Sequence, residues 1–197
     1  MKNSRNILLF LFSIIITNLA FADEEQDRET LKNYLSTFES ALNNNEINKI
    51  IPLLAEEVVI TFVNAETVRG VPEVIKYHEK TLGSSSALLK DYSTKATISA
   101  PARFYQNIAI ATGTALDTYT LANGDVIEME TIWSVTLSKD ETQNKWKIAQ
   151  LHFSANPFDN PVMQAINNKL TLVGVICAVL GLFLGLLVGR FRKKHAS

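Results

Sequence analysis

From Leu170 to Gly189 the chain reads LTLVGVICAVLGLFLGLLVG, an apolar run without a charge, and Arg190, Arg192, Lys193 and Lys194 follow at once. About 20 such residues at ~1.5 Å rise cover the ~30 Å hydrocarbon layer of a bilayer as a helix that satisfies its own backbone. The basic cluster behind the run favours the cytoplasmic side. The rest of the chain is thereby constrained to one domain on the outer face of a membrane, joined to the span by a linker over residues 157–169 that carries Pro157 and Pro161.

The other end fits the same topology. Lys2 and Arg5 precede a short apolar stretch, Ile7 to Ile16, and Ala20-Phe21-Ala22 supplies the small residues a signal peptidase needs before Asp23. That is the three-part pattern of a secretory signal over residues 1–22, too short for a second anchor. It predicts a single-pass protein of a bacterial inner membrane, with its domain in the periplasm and residues 190–197 as a cytoplasmic basic tail; a eukaryotic type I protein is the alternative.

Between these ends stand 13 of the 19 basic residues and all 20 acidic ones, a balance of −7. An acidic domain outside the cytoplasm is a poor partner for nucleic acid. Cys177, the single cysteine, lies inside the span, so the domain has neither a disulfide nor a thiol nucleophile. His78, His152 and His195 are scattered with no H-x-H or H-E-x-x-H spacing, and no Gly-rich phosphate loop is present, so neither a metal nor a cofactor is expected.

Leu31, Tyr34, Leu35, Phe38, Ala41 and Leu42 recur at helical spacing, which predicts an amphipathic helix over 23–44. A shorter helix over 46–55, a β-branched strand over 58–63 and a third helix from Val71 to Leu82 follow. From residue 84 the period changes to two. Strands are predicted over 92–99, 103–119, 126–138 and 145–154, with turns at 122–125 and 139–144. Helices before a meander of strands argue an α+β fold, a curved antiparallel sheet wrapped around helices.

Arg69-Gly70 before the third helix, the segment Asn107 to Gly113 and the ending Lys145-Trp146-Lys147-Ile148 through His152 and Ser154 resemble the SnoaL-like, or nuclear transport factor 2-like, superfamily. The ending is similar to the ketosteroid-isomerase-like group that includes the association domain of calmodulin-dependent kinase. The resemblance covers nearly all of residues 27–156, within a domain over 23–156, and implies a cone-shaped barrel open at one end that dimerises through the outer face of its sheet. The superfamily holds isomerases, dehydratases, cyclases and epoxide hydrolases beside non-enzymatic binding modules, so the fold leaves the function open. Where the kinase domain has inward arginines, Thr112 and Phe153 stand here, and the isomerase aspartate has no counterpart.

Glu128 and Glu130 share one face of a strand, and paired carboxylates can separate their pKa values for proton transfer. Hydrophobicity turns Met129, Thr131, Trp133, Val135 and Leu137 inward; the following turn favours the opposite face, with Glu130 and Ser134 inward. Glu130 and Tyr77 are the acid–base candidates, and Tyr34, Tyr77, Thr112, Tyr119, Glu130, Trp133 and Phe153 the expected pocket wall. Tyr77 lies on the helix stripe with Val74 and Leu82; adjacent His78 points about 100° away. In the last strand Ala149, Leu151 and Phe153 are expected inward and Ile148 and His152 outward, so that Trp146, Ile148 and His152 form the dimer patch. Asp117, near a turn, is expected in solvent. Gly181, Gly185 and Gly189 repeat every fourth residue, a spacing that lets membrane helices pair closely.

The leading expectation is a membrane-tethered periplasmic binding or assembly module, a homodimer with a mainly apolar pocket for a hydrophobic small molecule or a site for a periplasmic protein. The alternative is a small isomerase, dehydratase or hydrolase working through Glu130 and Tyr77 on a hydrophobic substrate.

Overall fold

The computed structural model describes residues 24–83, 87–140 and 142–194, with side chains of the last helix up to residue 186; the expected signal segment, 1–22, lies outside the described residues. The chain forms two compact units divided between Ala155 and Asn156.

Helix α1 spans residues 24–43. Helix α2 is only Ile47–Ile50, followed by a 3₁₀ turn, Ile51–Leu53. Pro52 has no N–H to continue the helical ladder, which shortens the helix expected over 46–55. Strand β1 (Leu54–Thr61) therefore starts earlier than its β-branched core suggests, and it forms a hairpin with β2 (Thr67–Arg69), a strand not expected. Helix α3 (Gly70–His78) ends in a π turn, Glu79–Gly83. Its start is fixed by the Glu73 carboxylate, which accepts the Arg69 N–H at 2.7 Å, and by Gly70 at φ +73°, a conformation that favours glycine.

Strands β3 (Leu89–Ile98), β4 (Arg103–Tyr105), β5 (Ile108–Leu121), β6 (Val126–Asp140) and β7 (Lys145–Ser154) complete the sheet. The single strand expected over 103–119 breaks at Gln106, whose φ of 56° turns β4 back onto β5. The sheet order is β2-β1-β7-β6-β5-β3. Because β1 runs parallel to β7, the curved sheet is mixed rather than wholly antiparallel. Within this first unit the architecture is an unclosed α+β cone, with α1 and α3 on the concave face.

One irregularity reassigns the last strand. Leu137 pairs with Ile148, whereas Thr136 pairs with Gln150, so Ala149 is a bulge residue. A bulge inserts one residue and reverses the alternation beyond it. Trp146 and Ile148 therefore join Leu151 and Phe153 on the concave face. Trp146 is only 2% exposed and Ile148 belongs to the same core, so neither can form the outer dimer patch expected from strict alternation. His152 does lie outside, exposed.

Helix α1 is fastened to β3, the edge strand beside it. Asn43 accepts the Thr94 N–H at 2.7 Å and donates to the Thr94 carbonyl at 3.0 Å, as a neighbouring strand would. Glu39 accepts the Ala96 N–H at 2.8 Å. Edge strands leave such groups unpaired unless something covers them. Nearer the start of α1, Lys139 pairs with Asp27 at 2.9 Å and Tyr34 donates to the Trp146 carbonyl at 3.0 Å.

The second unit is dominated by α4, Pro161–Lys194. Asn160 caps it by accepting the Met163 N–H at 3.0 Å, and Pro161 takes the first helical position. Most of the expected linker, 157–169, is thus helical. The stretch Pro161–Leu186, whose most apolar 18 residues have a mean hydropathy of 2.3, is long and apolar enough to cross a membrane. Gly181 and Gly185 lie one turn apart with open space beside them, and Gly189 falls in the last turns.

The seam between α1 and β3 yields a testable magnitude. Asn43→Ala removes two hydrogen bonds and should cost about 1–2 kcal/mol, whereas Asn44→Ala, which loses only an exposed bond to its own helix, should be near neutral. Urea unfolding of the detergent-solubilised chain checks both; equal midpoints would refute the seam.

Candidate functional site

The concave face is hollow because of what β5 turns inward. Ala109, Ala111, Gly113 and Ala115 succeed one another on that face, with Asp117 and Tyr119 beyond them. Gly113 has a separate cause, since a Cβ there would fall 2.2 Å from the Trp133 indole and 2.1 Å from the Thr97 carbonyl oxygen. Trp133 lies across this gap and donates its Nε1 proton to the Thr114 carbonyl at 3.0 Å.

Between this small-residue wall and α1 is a chamber of about 740 Å³. Ligand sites commonly measure ~300–1,000 Å³. Leu31, Leu35 and Phe38 of α1 face Ala111, Ala115 and Val135 of the sheet, while Glu25, Arg28 and Lys32 stand with residues 99–102 along its border. Several polar groups of its wall are engaged structurally. Glu39 holds Ala96, Tyr34 holds Trp146, and Arg28 bonds to Glu24 and to the Ala102 carbonyl.

A second chamber of about 140 Å³ adjoins it across shared wall residues, Phe38, Tyr92 and Phe153 among them, and reaches towards α3. Its walls include Phe62 and Tyr77, stacked with ring centroids 3.7 Å apart, and Tyr92 and Tyr119, 5.2 Å apart. At its base lies Asp117, 1% exposed. One carboxylate oxygen accepts the Tyr92 hydroxyl at 2.8 Å and the other the Thr131 hydroxyl at 2.6 Å. Burial, then the nearby Glu66, pushes the Tyr77 hydroxyl up to about 12. Burial and then the Asp117 charge raise Tyr92 and Tyr119 as well. These hydroxyls therefore stay protonated at neutral pH and serve as donors. Burial lowers His78, favouring the neutral ring, and its Nε2 lies 2.6 Å from Asn45 Oδ1.

Of the residues expected to form the pocket, Tyr34 and Trp133 line the larger chamber, Tyr77 and Tyr119 the smaller, and Phe153 both. Thr112 and Glu130 do not belong there. Both are exposed on the outer face, because Thr112 alternates with inward Ala111 and Gly113, and Glu130 with Met129 and Thr131. Of the two faces left open for β6, the more apolar one is inward.

Asp117 was expected in solvent and is instead buried. It is paired with Thr94 on β3 and Met129 on β6, well inside the sheet rather than at its turn. Its parity with Ala109, Ala111 and Ala115 carried the signal. Glu39 and Asn43 were not singled out either; as polar residues flanking the apolar stripe of α1 they read as solvent-facing. Among the described residues no group of three or more His, Cys, Asp or Glu is arranged to hold a metal ion.

No family model and no curated protein matches the sequence. Solved structures do. A hexachlorocyclohexane dehydrochlorinase from Novosphingobium barchaimii superposes with a TM-score of 0.59 at 12% identity, over 68% of this chain and 89% of that one. A nuclear transport factor 2-like superfamily protein from Salmonella enterica gives 0.55 at 16% identity, over 66% and 92%. A protein with a cystatin-like fold from Caulobacter vibrioides gives 0.54 at 19% identity, over 73% and 96%. The domain thus has the nuclear transport factor 2-like fold, a class whose solved members include catalysts. At such identities the likeness is one of fold.

Proposed function

We propose that the chain is a membrane-tethered binding module whose domain encloses an apolar small molecule. The observation that supports this most directly is the 740 Å³ chamber, apolar in its depth, where Glu39 and Tyr34 are already committed to structural bonds. Protein interiors are otherwise close-packed, and a chamber of that size with an apolar wall exposes surface that an apolar ligand would remove from water. The enzymatic alternative through Glu130 and Tyr77 lacks a working pair, since Glu130 is exposed on the outer face of the sheet whereas Tyr77, on α3, lines the smaller chamber on the inner side.

The finer reading places the domain in the periplasm, anchored through α4, as a dimer through the outer face of the sheet. The outer face exposes Ile110, Leu116 and Ile132, among threonines and His152, and soluble monomers seldom leave such a patch open. On the full chain, a reporter fused after Ser197 should be cytoplasmic, and chemical crosslinking should give a dimer that Ile132→Asp weakens. A periplasmic reporter or an unchanged crosslink would contradict these assignments.

The binding reading is tested with N-phenyl-1-naphthylamine, an apolar dye that fluoresces on leaving water. Detergent-solubilised protein, measured against a detergent blank, should enhance its emission saturably. The double change Ala111→Leu and Ala115→Leu, which narrows the chamber between α1 and the sheet without adding charge, should reduce dye affinity by about tenfold. Equal affinity in a folded double variant sinks the reading.

A further inference from the structure

The smaller chamber, apolar and aromatic over most of its wall, holds one group that an apolar ligand would not use. Asp117 is the only ionisable side chain in the buried class among the described residues, and no ion pair engages it there. Its hydroxyl donors, Tyr92 and Thr131, are neutral. A buried carboxylate without a cation remains costly even when hydrogen-bonded. The surrounding walls carry the aromatic rings of Phe38, Phe62, Tyr77, Tyr92, Tyr119 and Phe153. Aromatic faces attract cations, most strongly where water is excluded. Other charged groups near the chamber do not supply the missing charge: His78 is held near neutrality by burial, and Lys80 is paired with Glu66 at 2.8 Å.

We propose that this chamber is a site for an organic ammonium group, seated against the Asp117 carboxylate and enclosed by the aromatic rings. An anion would meet the carboxylate, and a neutral hydrocarbon would leave its charge uncompensated; an ammonium satisfies both the carboxylate and the π faces. The volume limits the size. A cavity of ~150 Å³ accepts a benzene-sized molecule, so 140 Å³ takes a head group of about six or seven heavy atoms. The site is independent of the larger chamber's occupant, so either assignment can fail without the other.

Choline and 3,3-dimethylbutan-1-ol share a shape and differ in the charge, carried by nitrogen in one and absent from the carbon of the other. Isothermal titration of the full chain in a non-ionic detergent should show choline binding about tenfold or more tighter than the alcohol. Asp117→Asn keeps the side-chain shape, and should bring the two affinities together. Phe62→Leu, which removes one ring and no donor to the carboxylate, should weaken choline and leave the alcohol nearly unchanged. Equal binding of both compounds to the wild-type chain, or binding of neither at millimolar concentration, overturns the proposal whether or not the variants fold.

Discussion

The hydrogen bonds that join α1 to the open edge of β3 determine what the domain can hold. Asn43 pairs with Thr94 through both its amide groups, and Glu39 takes the Ala96 N–H. Farther along the helix, Tyr34 and the Lys139–Asp27 pair secure it to the other side of the sheet. Polar side chains thus hold the helix at both margins, and the space between need not be filled by packing. Apolar residues of α1 face alanines across a gap rather than meeting them. Had β5 carried leucines in place of Ala111 and Ala115, the same seam would enclose a narrower chamber.

The two chambers differ in chemistry because β5 changes composition along its inward face. Its first half presents alanine and glycine and makes the wide apolar space; its second half presents Asp117 and Tyr119 and makes the narrow, aromatic-walled end that holds the buried carboxylate. The bulky residues that complete the walls, Trp133 and Phe153, come from β6 and β7. One strand therefore sets both the size of the apolar chamber and the charge of its neighbour.

Helical periodicity, the β-branched runs and the turn residues made the α+β order legible in the sequence, and the apolar run identified α4. Five of the seven residues assigned to the pocket wall do line a chamber. The errors share a cause: alternation along a strand is reliable only while its register is uninterrupted. The bulge at Ala149 turned Trp146 and Ile148 inward, and neither Gly nor Pro marks it. Thr112 and Tyr119 were both placed inward although seven residues separate them on one regular strand, where an odd separation puts them on opposite faces. Asp117 was judged by its charge and its nearness to a turn, although its parity with three alanines placed it inside. Glu39 and Asn43 are invisible to such reasoning because their partners are backbone groups on a strand more than 50 residues away.

The central claim is that the larger chamber holds an apolar molecule in the cell. Native mass spectrometry of the full chain, extracted from its own membrane in mild detergent, tests it most directly. A defined added mass is expected that persists when detergent is stripped in the gas phase and is strongly reduced in a chain whose chamber is narrowed by Ala111→Leu and Ala115→Leu. The bare polypeptide mass alone, or an adduct retained equally by the narrowed chain, would contradict it.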